Sequence, residues 1–116
     1  MAATPIEFRL ERELQFRIRG EHLKGKLFVG DLTWQEEEQR WACHFSLAHV
    51  HPEVAKLYGP DPLAAVVNTL DFLSILIRGS EDDGLVVWWQ TEGDHAGLTF
   101  PLSEGKKWQE LPPKFN

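Results

Sequence analysis

The chain contains one cysteine, one methionine and one tyrosine among 116 residues. A lone Cys43 cannot close an internal disulfide, so the fold must rest on its apolar core, and this cysteine usage fits a reducing compartment. The opening residues, Met1 to Ile6, lack a basic patch followed by an apolar run, and no signal peptide is expected. No stretch reads as the run of about 18 apolar residues that a membrane helix needs. Together these absences predict a cytoplasmic protein that does not contact a membrane. Catalytic signatures are missing as well. There is no metal-binding HExxH helix and no glycine-rich phosphate cradle, and Ser46, Ser74, Ser80 and Ser103 lie in no nucleophile elbow. The expectation is a non-enzyme with no catalytic residues, no cofactor and no metal.

Positive charge is also scarce. Twelve Lys/Arg face 18 Asp/Glu, for a net charge of −6. The imbalance grows along the chain, from six basic against four acidic in residues 1–30, through two against five in 31–60, to four against nine in 61–116. Non-specific nucleic-acid binding depends on cationic neutralisation of phosphates, so nucleic acid is not an expected partner. A basic protein is a better match. The plain alternative is that the acidity keeps a small protein soluble.

What is present is enough for one core. A length of 116 residues predicts a single domain over 1–116, and a 42% hydrophobic content with five Trp and seven Phe supplies the buryable surface. Ile6, Phe8, Leu10, Leu14, Phe16 and Ile18 all fall at even positions with Glu7, Arg9, Glu11, Glu13, Gln15, Arg17 and Arg19 between them, which is the period of a half-buried strand. Arg12 breaks that series and predicts a bend. Residues 20–25 read as a turn, 26–34 as a second strand, Glu36, Glu37 and Glu38 as an exposed hairpin turn, and 39–48 as a third strand. Residues 49–59 read as a loop with a short helical turn at 53–57. Asp61 and Pro62 then form a strong helix start, as N-cap and first helical residue. Leu63, Val66, Val67, Leu70, Leu73 and Ile77 recur at the spacing of one buried stripe, and Gly79 follows as the expected stop, which predicts a helix over 62–78. A polar turn at 80–84, a strand at 85–90, a turn at 91–97 and a short last strand at 98–102 complete the reading, with 103–116 expected as a loosely ordered tail. The predicted fold class is α+β, an antiparallel sheet in β-β-β-α-β-β order with the one amphipathic helix packed on its apolar face.

Three groups of residues could carry chemistry or binding. His49 and His51, two apart, could chelate zinc with His44, Cys43 or a carboxylate completing the four ligands, but Pro52 argues for a loop of solvated histidines. Cys43 and His44 are strand neighbours and point to opposite faces, so they cannot pair as thiolate and base, and Cys43 reads as a small buried hydrophobe. Glu92, Asp94 and His95 could gather an acid and a base in one turn. The structural alternative is a tight turn allowed by Gly93 and Gly97, with Asp94 bonded to its own backbone. Trp88 and Trp89 should face opposite ways, one ring entering the core and the other left outside as a binding anchor.

The helix entry Gly59-Pro60-Asp61-Pro62-Leu63-Ala64-Ala65, the tryptophan strand from Gly84 to Trp89, and the turn Glu92-Gly93-Asp94-His95-Ala96-Gly97-Leu98 resemble a small bacterial family, the domain of unknown function numbered six-nine-six-eight. The resemblance covers about the second half of the chain. Ala96 stands where that family carries glycine. The resemblance implies a compact sheet with one packed helix and implies no activity. These readings lead to a non-catalytic, acidic protein-binding domain, and in its sharpest form to an immunity protein that neutralises a basic toxin. The candidate partner-binding residues are Trp88, Trp89, Glu92, Asp94 and His95. The alternatives are a small enzyme or ligand-binding domain built on the Glu92/His95 turn with the histidines, and a homodimer formed through a sheet edge or the outer Trp face.

Overall fold

A computed structural model describes residues 3–98. Four strands run in sequence as an antiparallel meander: β1 (Ile6–Ile18), β2 (Glu21–Gln35), β3 (Arg40–Leu47) and β4 (His51–Gly59). A long helix, α1 (Pro62–Asp82), then crosses back over one face and delivers β5 (Leu85–Trp88) to the far side of β1. The sheet order is β4-β3-β2-β1-β5, antiparallel throughout. The α+β class and the packed helix are as expected. The order differs in one respect, since the fourth strand lies before the helix. The strand expected at 98–102, beyond Leu98, and the tail at 103–116 lie outside the described residues.

Period-two patterning sets which face is buried. Leu14 and Phe16 of β1, Leu27, Val29 and Leu32 of β2, and Cys43, Phe45 and Leu47 of β3 form one core with Leu73, Ile77 and Val87. Three turn and strand assignments need correction. The first hairpin uses only Arg19 and Gly20, both with positive φ (53° and 79°), which is the two-residue turn that matches strand twist. Gly25 therefore lies within β2, opposite Leu14, where a Cβ would come 2.5 Å from Ala48. Its role is close packing and not a turn. Residues 51–59 form β4 in place of a loop, paired with β3 from Gly59↔Trp41 to His51↔Leu47. This is an edge strand, where Pro52 and Lys56 are tolerated and guard against further pairing.

The helix begins as expected. Asp61 Oδ1 accepts the Ala64 N–H at 2.7 Å, and Pro62 follows. It does not stop at Gly79 but runs one turn further to Asp82. There Gly84, with φ +82°, takes the left-handed position and donates its N–H to Glu81 O. The buried face is also rotated from the expected stripe. Ala65, Thr69, Leu73, Ser74 and Ile77 are buried, while Leu63 and Val67 are 72% and 53% exposed. The close approach is made by small residues, because Gly59 of β4 abuts the backbone of Ala64 and Ala65 and draws that side of the helix to the sheet. Apolar residues on both sides make α1 long and apolar enough to cross a membrane by length and composition, contrary to the expectation that no such stretch exists. In this fold it lies across the sheet. Burial of Leu73 and Ile77 alone contributes about 3–6 kcal/mol.

The candidate partner surface

β1 departs from its apolar series at Arg12, and this is where the candidate site is built. Arg12 is on the helix side of the sheet, just beyond the end of β5, which pairs only with residues 15–18. Its guanidinium lies 3.8 Å from the Trp89 ring and donates to Ala96 O at 2.8 Å. One side chain thus carries both the ring and the turn. The expected bend is not needed to explain Arg12. An out-of-phase cation on an apolar face was the available signal for a residue that patterning alone could not place.

Asp94 organises the turn itself. Its carboxylate accepts from four backbone N–H groups: Trp89 and Ala96 at 3.0 Å to Oδ1, and Gln90 and Thr91 at 2.9 and 3.1 Å to Oδ2. Burial pushes its pKa up, but the four donors outweigh that and hold it below the usual carboxylate value. The turn closes in a single 3₁₀ turn, His95–Gly97, with His95 and Ala96 both at positive φ. The left-handed value at Ala96, +60°, is a glycine-favouring conformation. Gly97 is also held close, since a Cβ there would come 2.7 Å from Trp89 and 2.8 Å from Arg12.

The other expected members occupy the rim. Glu92 pairs with Arg17 at 2.6 Å, and His95 Nδ1 lies 3.2 Å from Glu81 Oε1 at the end of α1. Glu92, Asp94 and His95 thus share one turn without converging on a common point. Trp88 and Trp89 do face opposite ways, but neither enters the core. Val87 fills that position and is fully buried. Trp88 lies half-buried on the open face, stacked on His22 at 5.4 Å with Arg17 at 5.2 Å, whereas Trp89 is 38% exposed.

The histidines go separate ways. His44 Nδ1 donates to Asp31 O at 2.9 Å, His49 Nε2 to Lys24 O at 3.0 Å and His51 Nδ1 to Glu53 O at 3.0 Å. Among the described residues no group of three or more His, Cys, Asp or Glu is placed to hold a metal ion. Cys43 is buried on the Trp41/Phe45 side, as expected. Burial pushes its thiol pKa up, with the Thr69 hydroxyl working against the shift.

Among the described residues no element covers the face of the sheet away from α1, and its aromatics are paired with cations. Arg9 lies 4.2 Å from the Phe28 ring and Arg40 3.8 Å from Tyr58, repeating the Arg17/Trp88 arrangement. Each such pair is worth about 0.5–1 kcal/mol at an exposed site. An open cavity of about 610 Å³ lies here, bordered by Ile6, Arg9, Phe28, His44 and Val54. Gly30, the strand partner of Arg9 and His44, is closely packed, since a Cβ there would come 2.4 Å from Phe8 O and 2.7 Å from the Phe28 ring.

No protein-family model, no curated protein and no solved structure matches the chain.

Proposed function

We propose that the chain is a non-catalytic protein-binding domain that docks a basic partner, with an immunity protein that occludes a toxin as its sharpest form. The observation that carries this reading is Trp89. It is a partly exposed indole fixed on the Arg12 guanidinium and set in a turn held from within by Asp94. A rigid exposed aromatic is the residue type most enriched at binding hot spots. The segment that carries it is acidic, since residues 80–98 contain Glu81, Asp82, Asp83, Glu92 and Asp94 and no Lys or Arg, with Arg12 and Arg17 of β1 set against Trp89 and Glu92. Such a field steers a basic partner to the surface and rejects an acidic one. The absence of a shared focus for Glu92, Asp94, His95 and the other histidines favours binding over catalysis.

The test begins with a stoichiometric partner recovered from the native lysate and matched to a neighbouring gene, then reconstituted from the two pure chains. The proposal expects a basic partner whose affinity falls steeply as salt rises and falls at least tenfold with Trp89→Ala. A partner that binds equally well to Trp89→Ala, or that is acidic and insensitive to salt, would overturn it.

A further inference from the structure

The departures of the sheet from regular pairing gather around one cavity. Asp31 is the unpaired residue of β2 opposite β3, between Gly30↔His44 and Leu32↔Cys43. The ladder with β1 shifts at the same level, between Gly30↔Arg9 and Leu32↔Ile6. A third shift lies in β4, where Ala55 pairs with Phe45 but His51 with Leu47, and Val54 falls within it. Bulges bend a strand and tighten its twist, so this part of the sheet is curved. Ile6 of β1 and Val54 of β4 border the same cavity of about 610 Å³, although β2 and β3 lie between their strands. That volume is typical of ligand pockets, which run from roughly 300 to 1,000 Å³.

The lining is polar at its centre and apolar at its rim. Asp31, at φ +49°, accepts the Phe8 N–H on Oδ1 at 3.2 Å and the His44 Nδ1–H on its carbonyl at 2.9 Å. A neutral imidazole held in this way keeps its acceptor at Nε2. The Arg9 guanidinium lies over the Phe28 ring, and its ion pair with Glu11, at 3.5 Å between exposed groups, is weak and exchangeable. Its N–H edge suits a planar carboxylate. Glu7 and Asp31 add two carboxylates, while Ile6 and Val54 are 44% and 62% exposed. A simple anion would meet two like charges here, and a simple cation would meet Arg9. A ligand with both charges close together and an apolar body satisfies the whole lining. We infer that the cavity binds a zwitterionic α-amino acid with an apolar side chain. The carboxylate lies on Arg9, the ammonium faces Glu7, Asp31 and His44, and the side chain lies between Ile6 and Val54.

The test titrates the full ¹⁵N-labelled chain with L-phenylalanine, with 3-phenylpropionate, which lacks the ammonium, and with 2-phenylethylamine, which lacks the carboxylate. L-phenylalanine should give saturable amide shifts centred on Arg9, Asp31, His44 and Val54, and each analogue should bind at least tenfold more weakly. Arg9→Gln should weaken L-phenylalanine at least tenfold and leave the amine bound as tightly as before or more tightly, a split that general unfolding would not give. Trp89→Ala, on the other side of the sheet, should bind L-phenylalanine as the parent does, so the result is independent of partner docking. Absence of saturable shifts overturns the inference. So does either analogue binding as tightly as L-phenylalanine, or an Arg9→Gln chain that loses all ligands alike.

Discussion

Both oxygens of the Asp94 side chain accept backbone N–H groups, four in all, so this carboxylate holds its turn together only while it is ionised. Its folded pKa lies below the usual value of about 3.9. A depressed carboxylate contributes stability that is present above the unfolded pKa and is lost as pH falls through the folded one. Asp94→Ala should therefore lower the unfolding free energy measured in urea at pH 7, by the ~1–3 kcal/mol expected when charge-assisted bonds are removed. The difference from the parent should shrink as pH drops below about 4. A difference that persists unchanged at low pH would remove the ionised carboxylate from the account. Much at this scale was legible in advance. The self-bonded Asp94 was one of two readings of its turn, and buried Cys43 followed from alternation. Arg12 was not legible, because its partners Trp89 and Ala96 are distant in sequence and only the fold brings them to it.

Among the elements, α1 and β4 account for most of the difference between expectation and structure. Gly79 looked like a stop because glycine ends helices, yet the next glycine, Gly84, takes the left-handed position. Nothing lies within 4 Å of a Cβ built at Gly79. Gly79→Ala should raise stability by about 0.5–1 kcal/mol in chemical denaturation, since an interior helical glycine carries only an entropic cost. A helix ending at residue 78 would give the opposite sign. Gly59→Ala should behave in the reverse way, because its Cβ would fall 2.3 Å from the Ala65 nitrogen. Moving backbone costs more than moving a side chain, so a loss at the upper end of about 1–3 kcal/mol is expected by the same assay. This contact also explains why the buried face is rotated from the stripe at Leu63 to Ile77, of which Leu73 and Ile77 are buried and Val66 and Leu70 pack against the core while Leu63 and Val67 are exposed. The side nearest the sheet is set by the small residues at 59, 64 and 65, which carry no hydrophobic signal. β4 escaped notice for a related reason. Ala55, Leu57 and Gly59 on its inner side do not stand out from Val54 and Tyr58 on its outer side.

At the scale of the whole molecule, one face of the sheet is covered by a helix and the other by charge. The class and the packing of the helix on the meander were readable from periodicity, since period two over the first half and a capped helix afterwards leave few arrangements. The candidate partner surface was only partly readable. Trp89, Glu92, Asp94 and His95 do share one turn, but Asp94 supports it from within, Trp88 belongs to the opposite face, and Arg12 had to be added. Charge should matter in proportion. Asp82→Lys combined with Asp83→Lys, both exposed and distant from the core, should leave the thermal midpoint within a few degrees. The same pair should lower the association rate with a basic partner at least tenfold at low salt and much less at high salt, as read by stopped-flow mixing.

The central claim is that the surface around Trp89 recognises another protein, and titration calorimetry on a reconstituted complex tests it most directly. Trp89→Ala and Trp88→Ala are compared with the parent chain at two salt concentrations, after circular dichroism has shown all three folded. The account predicts that Trp89→Ala loses at least tenfold in affinity, that Trp88→Ala loses little, and that added salt weakens every complex. Equal affinities for the two variants, or a greater loss from Trp88→Ala, would contradict it.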